Sequence, residues 1–228
     1  MTAAAPASRA TPLRIALLGA ESTGKSTLAR AMAGRLEERG HRVAVVDEVL
    51  REWCAREGRT PRPEEQMPIA QEQERRVEAA CAGADIVIAD TTALVVAIYS
   101  GMLFRDRGIY PYALERQRTF HLTLLTGLDL PWVADGLQRD GPHSREPMDA
   151  LLREALALAQ VDWRVVYGAG EQRTLNALQA LAEVAPWAWQ AEADPADIER
   201  WSRLRATCEK CGDASCEHRL FTGLTGRT

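Results

Sequence analysis

The chain has 228 residues, of which 46% are hydrophobic, so it can bury one core of good size and carry a small appendage, but not a second large catalytic domain. Its formal net charge of −4 provides no basic excess to neutralise duplex phosphates, so we do not expect nucleic acid as a partner. No apolar run reaches the roughly 18 to 20 residues needed to cross a bilayer, so we expect a cytoplasmic protein without a membrane segment.

The chain begins with residues 1–12, which are rich in alanine and proline and which we interpret as a disordered leader. The apolar run at 14–18 predicts the first strand, and residues 25–39 have helical composition. Between them lies the sequence Gly19-Ala20-Glu21-Ser22-Thr23-Gly24-Lys25-Ser26-Thr27. A strand, this glycine-rich spacing, the lysine, the hydroxyl and a following helix are together typical of a phosphate-binding P-loop.

This P-loop predicts binding of a nucleoside triphosphate. Backbone N–H groups of the loop are expected to surround phosphate oxygens, Lys25 to reach the β and γ phosphates, and the Ser26 hydroxyl to hold Mg²⁺. The alternative is a chance glycine turn before a helix, and it fits less well because all five features agree. ATP and Mg²⁺ are therefore the expected cofactors.

The second predicted strand, at 43–46, is followed by Glu48 and Arg51. Because the carboxyl ends of parallel strands share one edge of a sheet, Glu48 is expected near the phosphate site, with Arg51 one helical turn further along the same face. We predict that Glu48 hydrogen-bonds an acceptor hydroxyl or takes its proton. An exposed Glu48–Arg51 pair at a helix start is the alternative.

The third predicted strand, at 85–89, is apolar and leads directly into Asp90, Thr91 and Thr92. An acid at the end of a buried strand beside a P-loop is typical of a Mg²⁺ ligand, and we assign that role to Asp90. The alternative is that Asp90 caps the helix beginning at Thr91. The apolar strand before it favours the metal.

Two further strands are predicted, at 121–125 and 163–167. Helical composition is found at 64–80, 91–103, 111–120, 147–160 and 172–184. This alternation predicts an α/β fold for residues 13–184, in which a five-stranded parallel sheet is covered by helices on both faces.

The segment 126–146 is a long, charged connection of the kind that is usually functional or disordered. Arg139 and Arg145 are candidates for a lid that closes over the transferring phosphoryl group; the alternative is that both are solvated loop arginines. Trp132 and Asp135 offer a flat apolar surface and a carboxylate, which suit a nucleoside, although a tryptophan more often packs in the core than contacts a ligand.

Four segments together resemble the ribosylnicotinamide kinase domain of bacterial NadR-type proteins over residues 13–184. They are the P-loop, Glu48-x-x-Arg51, Asp90-Thr91-Thr92 and Pro131-Trp132-Val133-Ala134-Asp135-Gly136-Leu137. The last segment is the most discriminating, because P-loops are shared by many ATPases and GTPases.

The resemblance implies ATP-dependent phosphorylation of the 5′-hydroxyl of nicotinamide riboside to nicotinamide mononucleotide, a step of NAD biosynthesis. It also implies that Glu48 serves the acceptor, Asp90 serves Mg²⁺, and Asp135 lines the acceptor pocket. The chain departs from the family at Gln138, where arginine is common, and Arg139 follows one position later. It also lacks the aromatic residue that the family tends to have beside the glutamate.

The tail, 185–228, has a different composition and reads as a separate small unit. Its spacing Cys208-x2-Cys211-x4-Cys216-x-His218 supplies three thiolates and one imidazole, which is the ligand set of a structural Zn²⁺ site. Surface thiols on a disordered tail are the alternative, and a protein partner bound through the tail is left open.

The sequence thus predicts a stand-alone P-loop kinase for nicotinamide riboside, with a small C-terminal zinc-binding appendage. Two alternatives remain. One is a kinase for another nucleoside or small metabolite, which would share the phosphate-handling residues. The other is a non-catalytic ATP-binding sensor that docks a partner through its tail.

Overall fold

The computed structural model describes residues 11–133 and 141–190. Its strands are Leu13–Leu18 (β1), Val43–Val46 (β2), Ile86–Asp90 (β3), Leu122–Thr126 (β4) and Trp163–Val166 (β5). Its helices are Lys25–Glu37 (α1), Val49–Glu57 (α2), Pro63–Ala80 (α3), Ala93–Phe104 (α4), Tyr110–Gln117 (α5), Arg145–Ala159 (α6) and Gly170–Val184 (α7), with a short 3₁₀ helix at Pro142–Ser144.

The strands form one parallel sheet in the order β2-β3-β1-β4-β5. The predicted five-stranded parallel sheet is therefore confirmed, with each strand within one residue of its predicted start. In the central pair, Leu17 of β1 lies opposite Asp90 of β3. This register places the P-loop, which follows β1, directly beside the carboxyl end of β3.

Alternating side chains of the sheet enter different layers of the core. Ile15 and Leu17 of β1 and Ile88 of β3 are buried in the cluster that includes α1 and α7. Val87 and Ala89 of β3 pack instead in a cluster with α3 residues. A parallel sheet covered on both faces follows from these nearly continuous apolar strands.

Helix α2 is not among the helical segments that we predicted from composition. It spans nine residues, and its buried side chains are limited to Val49, Leu50 and Cys54, so its apolar periodicity is short. The predicted helix at 111–120 is wrong at its end, because α5 stops at Gln117 and Phe120 enters the core ahead of β4.

The first compact unit of the chain ends at Gln190, six residues past the domain boundary expected from composition. Ala185, Ala188 and Trp189 are buried against the α1 and α7 layer, which explains the extension. Residues 191–228 lie outside the described residues, and so do residues 1–10 of the expected leader. Within the described ranges, no helix has both the length and the apolar character to cross a membrane.

Candidate functional site

The loop between β1 and α1 has a backbone that favours glycine at two positions. Gly19 has φ +150°, and a Cβ there would lie 2.0 Å from the Thr126 hydroxyl oxygen. Gly24, the N-cap of α1, has φ +76°. Both backbone conformations disfavour residues with a Cβ. They turn the loop so that the N–H groups at the N-terminus of α1 point into it.

Side chains inside the loop hold it closed. Lys25 is 7% exposed, and its ammonium donates to the carbonyl oxygens of Gly19 and Ala20, each at 2.9 Å. The Thr23 hydroxyl donates to the Ala20 carbonyl at 2.8 Å and accepts from the Thr126 hydroxyl of β4 at 2.7 Å. A lysine, helix N–H groups and a tight loop therefore meet where a polyphosphate would bind.

Asp90 is buried at the end of β3, with 1% exposure, and its Oδ2 accepts a hydrogen bond from the Ser26 hydroxyl. Its other oxygen, Oδ1, is also buried and has no hydrogen-bond partner among the described residues. The helix cap is Thr92, whose hydroxyl accepts from the Leu94 N–H at 3.3 Å, so Asp90 is not the cap. A hydroxyl beside a carboxylate with an unused oxygen fits Mg²⁺, which prefers few protein oxygens and completes its shell with phosphates and water.

Glu48 and Arg51 form the ion pair that the alternative interpretation anticipates, at 2.9 Å between Oε2 and Nη2. The pair is not simply exposed, however. The Glu48 side chain is 11% exposed, and Arg51 Nη1 also donates to the Ser26 hydroxyl oxygen at 2.9 Å. A positive group therefore already lies against Ser26, and the contacts run continuously from Glu48 through Arg51 and Ser26 to Asp90.

The segment after β4 is bound to the P-loop. The Val133 N–H donates to the Ser22 hydroxyl oxygen at 2.8 Å, and that hydroxyl lies 3.2 Å from the Val133 carbonyl oxygen. Trp132, one residue earlier, is half-buried beside this contact. A second contact to the P-loop comes from α4, where the Tyr99 hydroxyl donates to Oε1 of Glu21 at 3.2 Å. Thr27, the last residue of the predicted P-loop motif, lies in the first turn of α1 and is exposed.

Arg145 is not a solvated loop arginine in this structure, because its guanidinium is bound to the backbone of the loop. It is 7% exposed, and its guanidinium donates to the carbonyl oxygens of Leu130 at 2.9 Å and Leu128 at 3.3 Å. It therefore fixes the loop that leads to Trp132. Asp135 and Arg139 fall within 134–140, outside the described residues, and their assignments stay predictions.

Arg173 of α7 is a site residue that our sequence analysis missed. Arg173 is 3% exposed, and its guanidinium donates to the carbonyl oxygens of Thr23 at 3.1 Å, Gly127 at 3.3 Å and Gly168 at 2.6 Å. It also pairs with Asp129 at 3.0 Å. Burial alone would raise the pKa of Asp129, but the hydrogen bonds from the Gly168 N–H and Arg173 outweigh it and lower that pKa. Arg173 thus joins the P-loop to the loops after β4 and β5.

The predicted zinc ligands Cys208, Cys211, Cys216 and His218 lie outside the described residues, so the zinc site stays a prediction. Among residues 11–133 and 141–190, there is no group of at least three His, Cys, Asp or Glu side chains placed to hold a metal ion. The Asp90 position supplies one carboxylate and one hydroxyl, and further ligands would have to come from phosphate and water.

A parallel sheet with a P-loop after its central strand and an acid at the end of the neighbouring strand defines a P-loop NTPase. The comparison with protein families gives the same class, because the model of a family described as AAA domain matches residues 14–173. The chain belongs to this family. A comparison with curated proteins finds no match.

Two solved structures of NadR protein share the fold. The one in complex with NAD and AMP-PNP is 18% identical, with a TM-score of 0.64, and the match covers 80% of this chain and 51% of that one. The one in complex with NR is 20% identical, with a TM-score of 0.61, and covers 76% of this chain and 50% of that one. This chain therefore spans about half the length of both. The likeness confirms, at the level of fold, the resemblance to NadR-type proteins.

Proposed function

We propose that this chain is an ATP- and Mg²⁺-dependent kinase that transfers the γ-phosphate to a nucleoside hydroxyl, with nicotinamide riboside as its acceptor. The observation that carries the proposal is the continuous contact from Glu48 through Arg51 and Ser26 to Asp90. This contact supports the proposal because Glu48, the proposed acceptor carboxylate, lies two contacts from Ser26, the proposed Mg²⁺ ligand.

The nucleotide half of the site uses the loop and the N-terminus of α1. The loop N–H groups would bind phosphate oxygens, and Lys25 would exchange its two carbonyl contacts for the β and γ phosphates. Ser26 and Asp90 are the residues that would hold Mg²⁺. When bound, Mg²⁺ offsets the negative charge on the β and γ phosphates.

In the acceptor half, Glu48 would orient the hydroxyl and receive its proton. The acceptor oxygen forms a bond to the γ-phosphorus while the bond from that phosphorus to the β–γ bridging oxygen breaks. The products are a phosphomonoester and ADP, and the proton passes to Glu48. Arg51, already paired with Glu48, would turn towards the phosphate charge that develops during transfer.

Nicotinamide riboside is proposed on two grounds. The segment 131–137 matches the motif that distinguishes NadR-type kinase domains, and its described part, including Trp132, is bound to the P-loop through Ser22 and Val133. The fold is shared with NadR proteins solved with NAD and AMP-PNP and with NR.

The proposal is tested by measuring ADP release in the presence of Mg²⁺ and ATP with nicotinamide riboside, the common ribonucleosides and no acceptor. We expect turnover that depends on nicotinamide riboside in the wild type and its loss in Lys25→Met. The matched control is Arg30→Met, which removes an exposed cation from the same helix and should retain activity. ADP release that is the same with and without every acceptor would contradict the kinase assignment.

A further inference from the structure

We propose that Gln73 and Glu74, adjacent residues of α3, are positioning residues that together set the placement of Glu48 and Asp90. This inference rests on the proposed function of those two carboxylates. Neither residue of the pair belongs to a motif, and both are nearly fully buried, with exposures of 1% and 2%.

Gln73 holds the loop that carries Glu48. Its Oε1 accepts a hydrogen bond from the N–H of Val49 at 2.9 Å, and its Nε2 lies 3.4 Å from the carbonyl oxygen of Asp47. These backbone groups lie on either side of Glu48 in the chain. Val49 is the first residue of α2, and Glu48 makes no side-chain cap of its own, so Gln73 satisfies an N–H that the helix leaves open.

Glu74 has the same relationship to the loop that carries Asp90. Its Oε1 accepts from the N–H of Ala93, the first residue of α4, at 2.8 Å. The turn between Asp90 and Ala93 includes Thr91, which has φ +71°, a conformation that a β-branched residue adopts only under constraint. The buried Thr92 hydroxyl donates to Gln117 at 2.8 Å and secures the same turn from the other side.

The geometry of α3 explains why two consecutive residues can reach two different loops. Successive side chains of a helix point about 100° apart. The loops follow β2 and β3, which are neighbours in the sheet, and α3 packs beside both strands. Helix α3 therefore binds the first backbone N–H of both α2 and α4. A change at Gln73 would displace Glu48 but not Asp90, and a change at Glu74 would displace Asp90 but not Glu48.

The test separates the two residues by their different effects. Gln73→Met should lower kcat for the acceptor by about tenfold while ATP affinity and the Mg²⁺ requirement stay at wild-type values. Glu74→Met should raise the Mg²⁺ concentration for half-maximal binding of a fluorescent ATP analogue by about tenfold. Glu74→Gln keeps an acceptor oxygen for the Ala93 N–H and should restore most of the loss.

The control for a merely structural effect is Val77→Ala, one turn further along α3 and 1% exposed. It should lower Tm without changing the Mg²⁺ requirement or the acceptor kcat. The inference is overturned if Gln73→Met and Glu74→Met behave like Val77→Ala, or if both change the two quantities equally. If the wild type phosphorylates no nucleoside, the proposed function fails, but the Glu74 half of this inference is still decided by Mg²⁺-dependent ATP binding.

A measurement on the wild type guards against variants that do not fold. The amide hydrogens of Val49 and Ala93 should have protection factors at least about tenfold higher than that of Gly170, the first residue of α7, whose N-cap residue makes no side-chain hydrogen bond. Equal protection factors at all three amides would contradict the hydrogen bonds on which the inference rests.

Discussion

The Ser26 hydroxyl donates a hydrogen bond to the buried Asp90 carboxylate, and this contact joins the first turn of α1 to the end of β3. It links the P-loop to a residue 64 positions further along the chain. The sheet order makes the contact possible, because β1 and β3 are direct neighbours and Leu17 lies opposite Asp90. The hydroxyl and the carboxylate that we propose as Mg²⁺ ligands therefore lie in contact in this structure.

Asp90→Asn should weaken Mg²⁺-dependent ATP binding by at least about tenfold, because the neutral amide replaces the only carboxylate that contacts Ser26 among the described residues. Binding of ATP without Mg²⁺ should change little. Titration of a fluorescent ATP analogue at fixed and varied Mg²⁺ measures both. Asp47→Asn, an exposed carboxylate at the end of β2, is the control and should match the wild type. Equal affinities in all three proteins would remove Asp90 from the metal site.

Glu48→Gln should bind ATP with unchanged affinity and lose phosphoryl transfer by about 10²- to 10⁴-fold, because the amide cannot accept the proton of the acceptor hydroxyl. Single-turnover kinetics with saturating ATP and acceptor measure the chemical step directly. A variant that turns over at the wild-type rate would reduce Glu48 to the partner of Arg51 in a helix-start ion pair.

Gly19→Ala should destabilise the fold by about 1–3 kcal/mol and abolish tight ATP binding, because its Cβ would overlap the Thr126 hydroxyl at 2.0 Å. The double variant Gly19→Ala, Thr126→Ala should regain part of the stability. The matched control is Gly34→Ala in α1, where a Cβ meets nothing within 4 Å and should stabilise by up to about 1 kcal/mol. Denaturant unfolding of the four proteins measures these differences, and a neutral Gly19→Ala would refute the loop geometry.

Arg173→Met should lower the free energy of unfolding by about 3–5 kcal/mol, because it leaves Asp129 and three carbonyl oxygens without their buried partner. Arg164→Met, which breaks the half-exposed pair with Glu183, should cost no more than about 1 kcal/mol. Urea unfolding compares the two variants with the wild type. Similar small losses in both would mean that Arg173 does not hold the three loops together.

Asp85 gives a pH dependence of stability. Hydrogen bonds from the side chain and the backbone N–H of Arg42 lower the pKa of Asp85 from 3.8 to about 2. Because the folded protein binds this proton less readily than the unfolded chain, the stabilisation is complete above about pH 4 and is lost as the pH falls towards 2.

Asp85→Asn should therefore be less stable than the wild type at pH 7, and the difference in unfolding free energy should shrink to near zero at about pH 2. Urea unfolding at several pH values between 2 and 7 measures the difference. A difference that stays constant across this range would contradict the pairing with Arg42.

The parts of the fold that local sequence determines were predictable. The apolar runs identified all five strands, and the spacing of the glycines and the lysine identified the P-loop. Both signals come from residues that are close together in the chain. Helix α2 was not predicted, because a nine-residue helix with three buried side chains shows little apolar periodicity in its sequence.

The interactions that hold the site together depend on distant residues and could not be predicted. Arg173 reaches Thr23 across 150 positions, and Gln73 reaches Val49 across 24. From sequence, Arg145 is a candidate either for a lid or for a solvated loop arginine, and only the fold shows that its N–H groups bind the carbonyl oxygens of that loop. The direction that a long side chain takes depends on which partners the fold brings within its reach.

The most direct test of the central claim is ³¹P NMR of the purified protein with ATP, Mg²⁺ and nicotinamide riboside. We expect the γ-phosphate signal of ATP to be replaced by a phosphomonoester signal, with ADP formed in equal amount, and the reaction to stop when nicotinamide riboside is omitted. Unchanged ATP, or conversion of ATP to ADP and inorganic phosphate alone, would contradict the proposed kinase activity.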